Sequence, residues 1–424
     1  MKILHIGTFL KDGAGLGMFR LHESLLDSGV DSRILTLAET SVDPSISSFL
    51  PPRGRRPRRI RDAPASLLHR LRLHDSPFYR ALRTLPKCRT YGSYVSSPFS
   101  RVDVLSHPWV KEADIVHLHW ISGFVDWPSF FRRIRKPVVW TLRDENPALG
   151  FWHFRSDMPD PMPDWLRKED DWLRTEKATI VQGTNNLSLV SLSSEEDAYF
   201  ARTECFRGRN HRVIPNSIND AIFVRSGGDS IRREFGIPSD AKVFSFVAQA
   251  LADPRKGFQD LDRALARLNE PSIVVLCAGR GPLPRTSAPV RYVSLGLVTD
   301  PKRLAAVFSA SNLFVTPSRA ETFGKTTTEA LACGVPVISY PNAGAKDIVG
   351  PEDGALAEDF TPLALERAIR KGLARSFSPV ELRNRALTRF SRGKVAASYL
   401  DLYDSLTHTS TSDDGHEPQY RMHT

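Results

Sequence analysis

Short apolar runs of strand length alternate with segments of helical periodicity, and this alternation begins a second time near the middle of the 424-residue chain. In the first half, "KILHIGTF", "DSRILTLA", "ADIVHLHW", "KPVVWTLRD", "ATIVQGT" and "HRVIPNS" read as strands. Between the first two lies "MFRLHESLLDSG", with Phe19, Leu21, Leu25 and Leu26 at helical spacing and Gly29 as the stop. In the second half, "KVFSFVAQAL", "SIVVLCAG", "VRYVSLG", "NLFVTPS" and "VPVISY" read as strands, with "FQDLDRALARL", "DPKRLAAVFSAS" and "TTTEALACG" as helices between them. Strands separated by helices require parallel pairing with both sheet faces covered. The expected fold is therefore α/β, with two doubly wound units facing a cleft. The expected divisions are 1–215, 216–388, a C-terminal helix over 389–406 that packs back on the first unit, and a disordered tail over 407–424. The boundary is placed where Asn216, Gly227, Gly228 and Pro238 cluster.

Composition excludes several classes. With 41% hydrophobic and 25% charged residues, the chain can bury sizeable cores. Cys88, Cys205, Cys277 and Cys333 are far apart in sequence, which argues against a disulfide framework or a zinc site and for a reducing cytoplasm. "MKILHIGTF" enters a strand directly and does not resemble a signal peptide. No apolar stretch approaches the ~18 residues that a membrane span needs. Charge is concentrated in an insert over 51–90, where twelve Lys/Arg against two Asp leave +10, equal to the formal charge of the whole chain. Residues 53–72 read either as a passive solvated loop or as a contact with an anionic membrane surface or acceptor, on the inner face of the cell membrane. Few aromatics accompany the insert, so nucleic acid is not expected as a partner.

The segment "ETFGKTTTEALACGVPVISY" spans 321–340. Glu321 follows a strand end, and Glu329 falls about one turn into the next helix. The backbone N–H groups of Phe323, Gly324 and Lys325 open that helix, where partial positive charge collects and phosphate can bind. Gly324 allows close approach. Sugar hydroxyls, diphosphate and ribose thus map in order onto Glu321, the 323–325 turn and Glu329. Taken alone, the spacing fits better a helix that merely carries acids near its start. The flanks change that balance. With "DPRKGF", "CAGRGP", "PNAG" and the Ala-Leu-Ala-Cys-Gly-Val-Pro-Val run, the chain resembles the retaining family-four glycosyltransferases of the GT-B fold. The nearest subgroup is the bacterial exopolysaccharide and colanic-acid type. "GLGMFRLHESLLDSGVDS", "IVHLHW", "VVWTLRD" and "VIPNSI" are similar to the family's N-terminal landmarks, so the likeness covers most of the chain.

The resemblance implies two Rossmann-like domains, Glu321 at the donor sugar and Glu329 at the ribose. It further implies Leu297 and Val298 near the base, Gly15 and Gly17 near the donor phosphates or the acceptor, and His119 near the transferring sugar. Arg255 and Lys256 are the candidates to neutralise the leaving diphosphate. The family's arginine before Lys-Gly has no counterpart in "AQALADP", so Arg255 is assigned its role. Asp260 and Asp262 start a helix and point to different faces, so no metal site is expected there, and the enzyme is expected to need neither metal nor cofactor. Gly279 either lines the nucleotide pocket or belongs to a glycine-rich connection. Asp144, Arg143 and His153 are acceptor-side candidates; Arg143 stands where the family often has His.

These readings converge on a retaining transferase that moves a sugar from a nucleotide-diphosphate sugar to a saccharide or lipid-linked saccharide. Two alternatives remain at this stage: a nucleotide-sugar epimerase on the same architecture, and a non-catalytic transferase-like subunit.

Overall fold

The computed structural model describes residues 1–11, 13–39, 41–50 and 76–409. Among these, seven parallel strands form the first sheet: β1 (Lys2–Gly7), β2 (Asp31–Thr36), β3 (Ile46–Ser48), β4 (Ile115–Leu118), β5 (Val138–Thr141), β6 (Leu187–Ser191) and β7 (Asn210–Val213). Their spatial order is β3-β2-β1-β4-β5-β6-β7. A second parallel sheet contains β8 (Lys242–Ala250), β9 (Ile273–Arg280), β10 (Arg291–Gly296), β11 (Leu313–Thr316), β12 (Val337–Ser339) and β13 (Gly354–Leu356), ordered β10-β9-β8-β11-β12-β13. Strand order reverses between β1 and β4 in one sheet and between β8 and β11 in the other. Loops that leave such neighbours diverge and open a crevice at the strands' carboxyl ends.

The central strands are buried on both faces, as helix-covered parallel sheets require. Leu4, Ile6, Val116, Leu118, Trp140 and Leu189 anchor the first core; Phe244, Phe246, Leu261, Val275, Val315 and Ile338 anchor the second. Ile214 still packs in the first domain, whereas Ile218 and Phe223 pack in the second. The chain therefore crosses between them.

Three local expectations change. "ATIVQGT" reads as a strand because of its β-branched apolar run, yet Ala178 to Gln182 end the helix Asp164–Gln182. Leu166, Asp170, Leu173, Lys177, Ala178 and Val181 are buried at helical spacing, and tertiary burial on that face overrides strand preference. The strand is the next segment, "LSLVS". The first helix starts ahead of the "MFRLHESLLDSG" pattern, at Gly13, and so takes in Gly15 and Gly17. "FSRGKVAASYLDLYDSL" divides at Ser391: one helix ends at Phe390, and another runs Arg392–Thr409. That last helix returns to the first domain, where Val395, Tyr399, Leu402 and Tyr403 pack with Ile3, Leu21, Leu25 and Ile115. The basic helix Pro77–Arg89 is described, whereas 51–75 and the tail from 410 lie outside the described residues.

Candidate functional site

The second sheet's switch point carries the donor candidates. After β8, Pro254–Lys256 form a short 3-10 turn capped by Asp253, whose carboxylate accepts from the Arg255 N–H at 2.9 Å. Gly257 ends the turn at φ 73°, and a Cβ there would stand 2.1 Å from the Pro317 carbonyl oxygen. The turn is thereby pressed onto the chain leaving β11. There Ser318 and Glu321 meet Lys256. The Lys256 ammonium donates to Glu321 Oε1, and the Ser318 hydroxyl donates to the same oxygen at 2.9 Å. Burial alone would push the Glu321 carboxyl up. The Lys256 charge and hydrogen bond, with Ser318, outweigh it and hold the group below the usual carboxylate range.

Gly324, at φ 99°, caps the helix Lys325–Ala332, which starts just beyond β11. The turn is backed by Gly344, whose N–H donates to the Glu321 carbonyl at 3.1 Å. A Cβ on Gly344 would lie 1.8 Å from the Phe323 carbonyl oxygen. Asn342 fixes Ser318, donating to its carbonyl at 2.8 Å. Phe323 itself is buried in the second domain. Glu329 is also buried, and Arg20 of the first domain donates to its Oε1 at 2.6 Å. Glu321, Phe323, Gly324, Lys325, Glu329 and Lys256 therefore come together.

The first domain contributes from the ends of β1, β4 and β5. Lys325 donates through Nζ to the Gly13 carbonyl. Gly15 and Gly17 serve close packing: a Cβ on Gly15 would stand 2.4 Å from the Phe9 carbonyl oxygen, and one on Gly17 would stand 2.6 Å from Arg143 Nη1. Arg143 donates to the Asn216 side-chain oxygen and to His119 Nδ1, and the Thr322 hydroxyl reaches the Arg143 carbonyl at 3.2 Å. Asp144 accepts from Trp120 Nε1 and bonds His153 Nδ1, whose Nε2 meets the Ser96 hydroxyl at 2.9 Å. Next along the chain, Phe154 lies 4.8 Å beneath the Arg255 guanidinium, which also reaches Asp157 at 3.5 Å. The acceptor-side loop and the donor turn thus touch.

His119 sits behind this front rather than in it. A guanidinium only donates, so His119 Nδ1 accepts and its Nε2 carries the proton. That proton goes to His5 Nδ1 at 2.9 Å, which leaves the proton of His5 on Nε2, a buried atom without a hydrogen-bond partner among the described residues. His117 bonds Tyr403 and Thr141. His5, His117 and His119 are close enough to be considered as metal ligands, but His5 Nδ1 and His119 Nε2 bond each other, His119 Nδ1 faces a guanidinium and both His117 nitrogens bond hydroxyls, an unfavourable setting for a cation. Burial, then the neighbouring histidines and Arg143, hold His119 well below the usual imidazole range. Asp260 pairs with Arg319, and Asp262 accepts from Ser287, Ala288 and Tyr292, so the two carboxylates do not converge.

Gly279 lies under Leu251 at the end of β9. Leu297 and Val298 follow edge strand β10, two strands from the switch point. Sequence reasoning missed Arg20, Asn216, Ser318, Asn342 and Ser96. It also missed Lys177, whose buried ammonium donates to the Asn146, Leu149 and Gly150 carbonyls and braces the loop that carries His153. Apart from Ser318, whose partner Glu321 is three residues on, their partners are distant in sequence.

Residues 241–375, the body of the second domain, match the family model described as "Glycosyl transferases group 1". The D-inositol 3-phosphate glycosyltransferase of Xylanimonas cellulosilytica is 24% identical over 426 residues, 95% of this chain and 93% of that protein. The protein of the same name from Mycolicibacterium smegmatis is 29% identical over 249 residues, 54% of this chain and 52% of that one. These relatives differ from the exopolysaccharide and colanic-acid type suggested by the motifs. Among solved structures, a sucrose-phosphate synthase from Thermosynechococcus elongatus superposes with a TM-score of 0.65 at 20% identity, covering 96% of this chain and 100% of that chain. Anabaena HepE in complex with UDP and glucose superposes at 0.62 with 15% identity, covering 96% and 100%. The fold is GT-B: two Rossmann-like domains in one chain.

Proposed function

We propose that this protein is a glycosyltransferase that moves a sugar from a nucleotide-diphosphate donor to a hydroxyl acceptor with retention of configuration, without a divalent ion. The observation that carries this reading is the Lys256–Glu321 pair, set beside the amide-lined helix start at 323–325 and one helical turn from Glu329. The diphosphate would lie on the amides with Lys256 and Arg255 as cationic donors, which takes up the charge that develops as the sugar leaves. Lys256 would then exchange part of its bond with Glu321 for phosphate oxygen, freeing that carboxylate for sugar hydroxyls. The ribose diol would bond Glu329. On the opposite wall, Asp144 and His153 would orient the acceptor. Its proton would pass to the departing phosphate, so Glu321 need not attack the sugar. The match to group 1 glycosyl transferases and the UDP and glucose of HepE agree with this reading.

The acceptor has two readings. The motifs favour a saccharide or lipid-linked saccharide of a surface polysaccharide, with the protein acting on the cytoplasmic side of the membrane. The relatives' name favours an inositol phosphate. Incubation of UDP-, GDP- and ADP-sugars with each acceptor class in a chelating buffer tests the proposal. Transfer with the donor's anomeric configuration kept is expected. Epimerised donor without transfer would favour the epimerase reading, and strict dependence on Mg²⁺ or Mn²⁺ would overturn the metal-free reading.

A further inference from the structure

The ion pair between Arg20 and Glu329 joins the two domains at the proposed ribose contact. Arg20 belongs to the helix Gly13–Asp27, and Glu329 to the helix Lys325–Ala332. Their side chains are 6% and 5% exposed, and Nη2 stands 2.6 Å from Oε1. The guanidinium also lies 5.6 Å from the Phe223 ring and reaches the Ser217 carbonyl at 3.5 Å, both at the crossing between domains. The same two helices meet again where Lys325 bonds the Gly13 carbonyl. A buried carboxylate without a cation would take up a proton or turn away to find a donor.

We infer that Arg20 is a positioning residue: it fixes the Glu329 carboxylate so that Oε2 faces the hydroxyls of the donor's ribose. The inference rests on the donor reading above. A carboxylate accepts at both oxygens, and no hydrogen bond among the described residues engages Oε2. Arg20 holds Oε1 from the first domain, so ribose on Oε2 would be read only when the domains are together. Nothing in this arrangement requires Arg20 to touch the nucleotide.

The test compares UDP, GDP and ADP with their 2′-deoxy counterparts by calorimetry. A site built to bond a hydroxyl rejects the analogue that lacks it. For whichever base binds the wild type, the ribonucleotide is expected to bind about tenfold or more tightly than the deoxynucleotide, as for a lost hydrogen bond to a charged group. Arg20→Gln should bring that ratio to within about threefold, chiefly by weakening the ribonucleotide. Glu329→Gln should do the same, and the double variant should add little, because both changes disable one unit. Arg20→Lys should restore part of the ratio, and it carries the comparison if Arg20→Gln does not fold. A purely structural role would weaken both nucleotides equally, and that result, or an unaltered ratio, overturns the inference. A wild type that binds none of the panel overturns the donor reading itself.

Discussion

Among the described residues Lys256 donates to Glu321, the proposed donor carboxylate, and Gly257 lets the 254–256 turn press on Pro317 beside it. Replacing Lys256 by Ala removes one charged donor from the developing leaving group. Turnover of the donor should fall by about 10²- to 10³-fold with the fold intact, as read by initial rates beside a melting curve. Gly344→Ala tests the support of the same turn. Its new methyl must displace the Phe323 carbonyl, so stability should drop by about 1–3 kcal/mol in chemical denaturation, with donor binding weakened as well. The donor cluster is legible in the sequence because Glu321, the 323–325 turn and Glu329 are neighbours along the chain. Arg20 is not legible. It sits in an ordinary amphipathic helix, and its partner lies 309 residues away.

At the scale of elements, two buried polar devices hold pieces of the first domain in register. Lys177 lies on a helix face that also buries Leu166, Asp170, Leu173, Ala178 and Val181, and bonds three backbone carbonyls of 146–150. Lys177→Met would leave those carbonyls buried and unpaired. A loss of about 3 kcal/mol is expected in denaturant titration, more than for an exposed lysine. The same helix explains the misread "ATIVQGT". Local β-branching suggests a strand, whereas the buried face of the preceding turns carries the helix through to Gln182. The C-terminal helix is tied through Tyr403 to His117 and through Tyr399 to Thr141. Burial, followed by nearby histidine and Arg143 charges, holds His117 well below its ordinary value near 6.5, as it does His119; for His5, burial is followed by His22 and Arg143. The unfolded chain therefore binds more protons than the native one below about pH 6.5. The contribution of these three histidines to stability should be level above that pH and fall as pH drops, by up to about 1.4 kcal/mol per pH unit for each. Melting points unchanged between pH 7.5 and 5.5 would contradict this account.

For the whole molecule, two switch points face each other and the chain closes on itself. The first domain runs into the second beyond Ile214, and the last helix returns to the first. The doubly wound alternation is legible from strand-length apolar runs. Short β3 and β13 are not, because "ISS" and "GAL" form no apolar run, unlike the equally short β12 within "VPVISY". Four contacts between the domains, Arg20 to Glu329, Lys325 to Gly13, Thr322 to Arg143 and Arg255 to Asp157, surround the proposed donor cradle, and a further set joins Lys346 to Glu195 and the Ser194 N–H to Asp347. A ligand that binds there should stabilise the native state as a unit, by about 2.7 kcal/mol at a hundredfold excess over its dissociation constant. The most direct measurement is a melting-point panel of nucleoside diphosphates and their sugar conjugates in EDTA, run on the wild type, Lys256→Ala and Glu329→Gln. The account predicts that at least one nucleotide raises the wild-type melting point without metal and that both variants lose most of the rise. A wild type that responds to no nucleotide, or only after Mg²⁺ is restored, would contradict it.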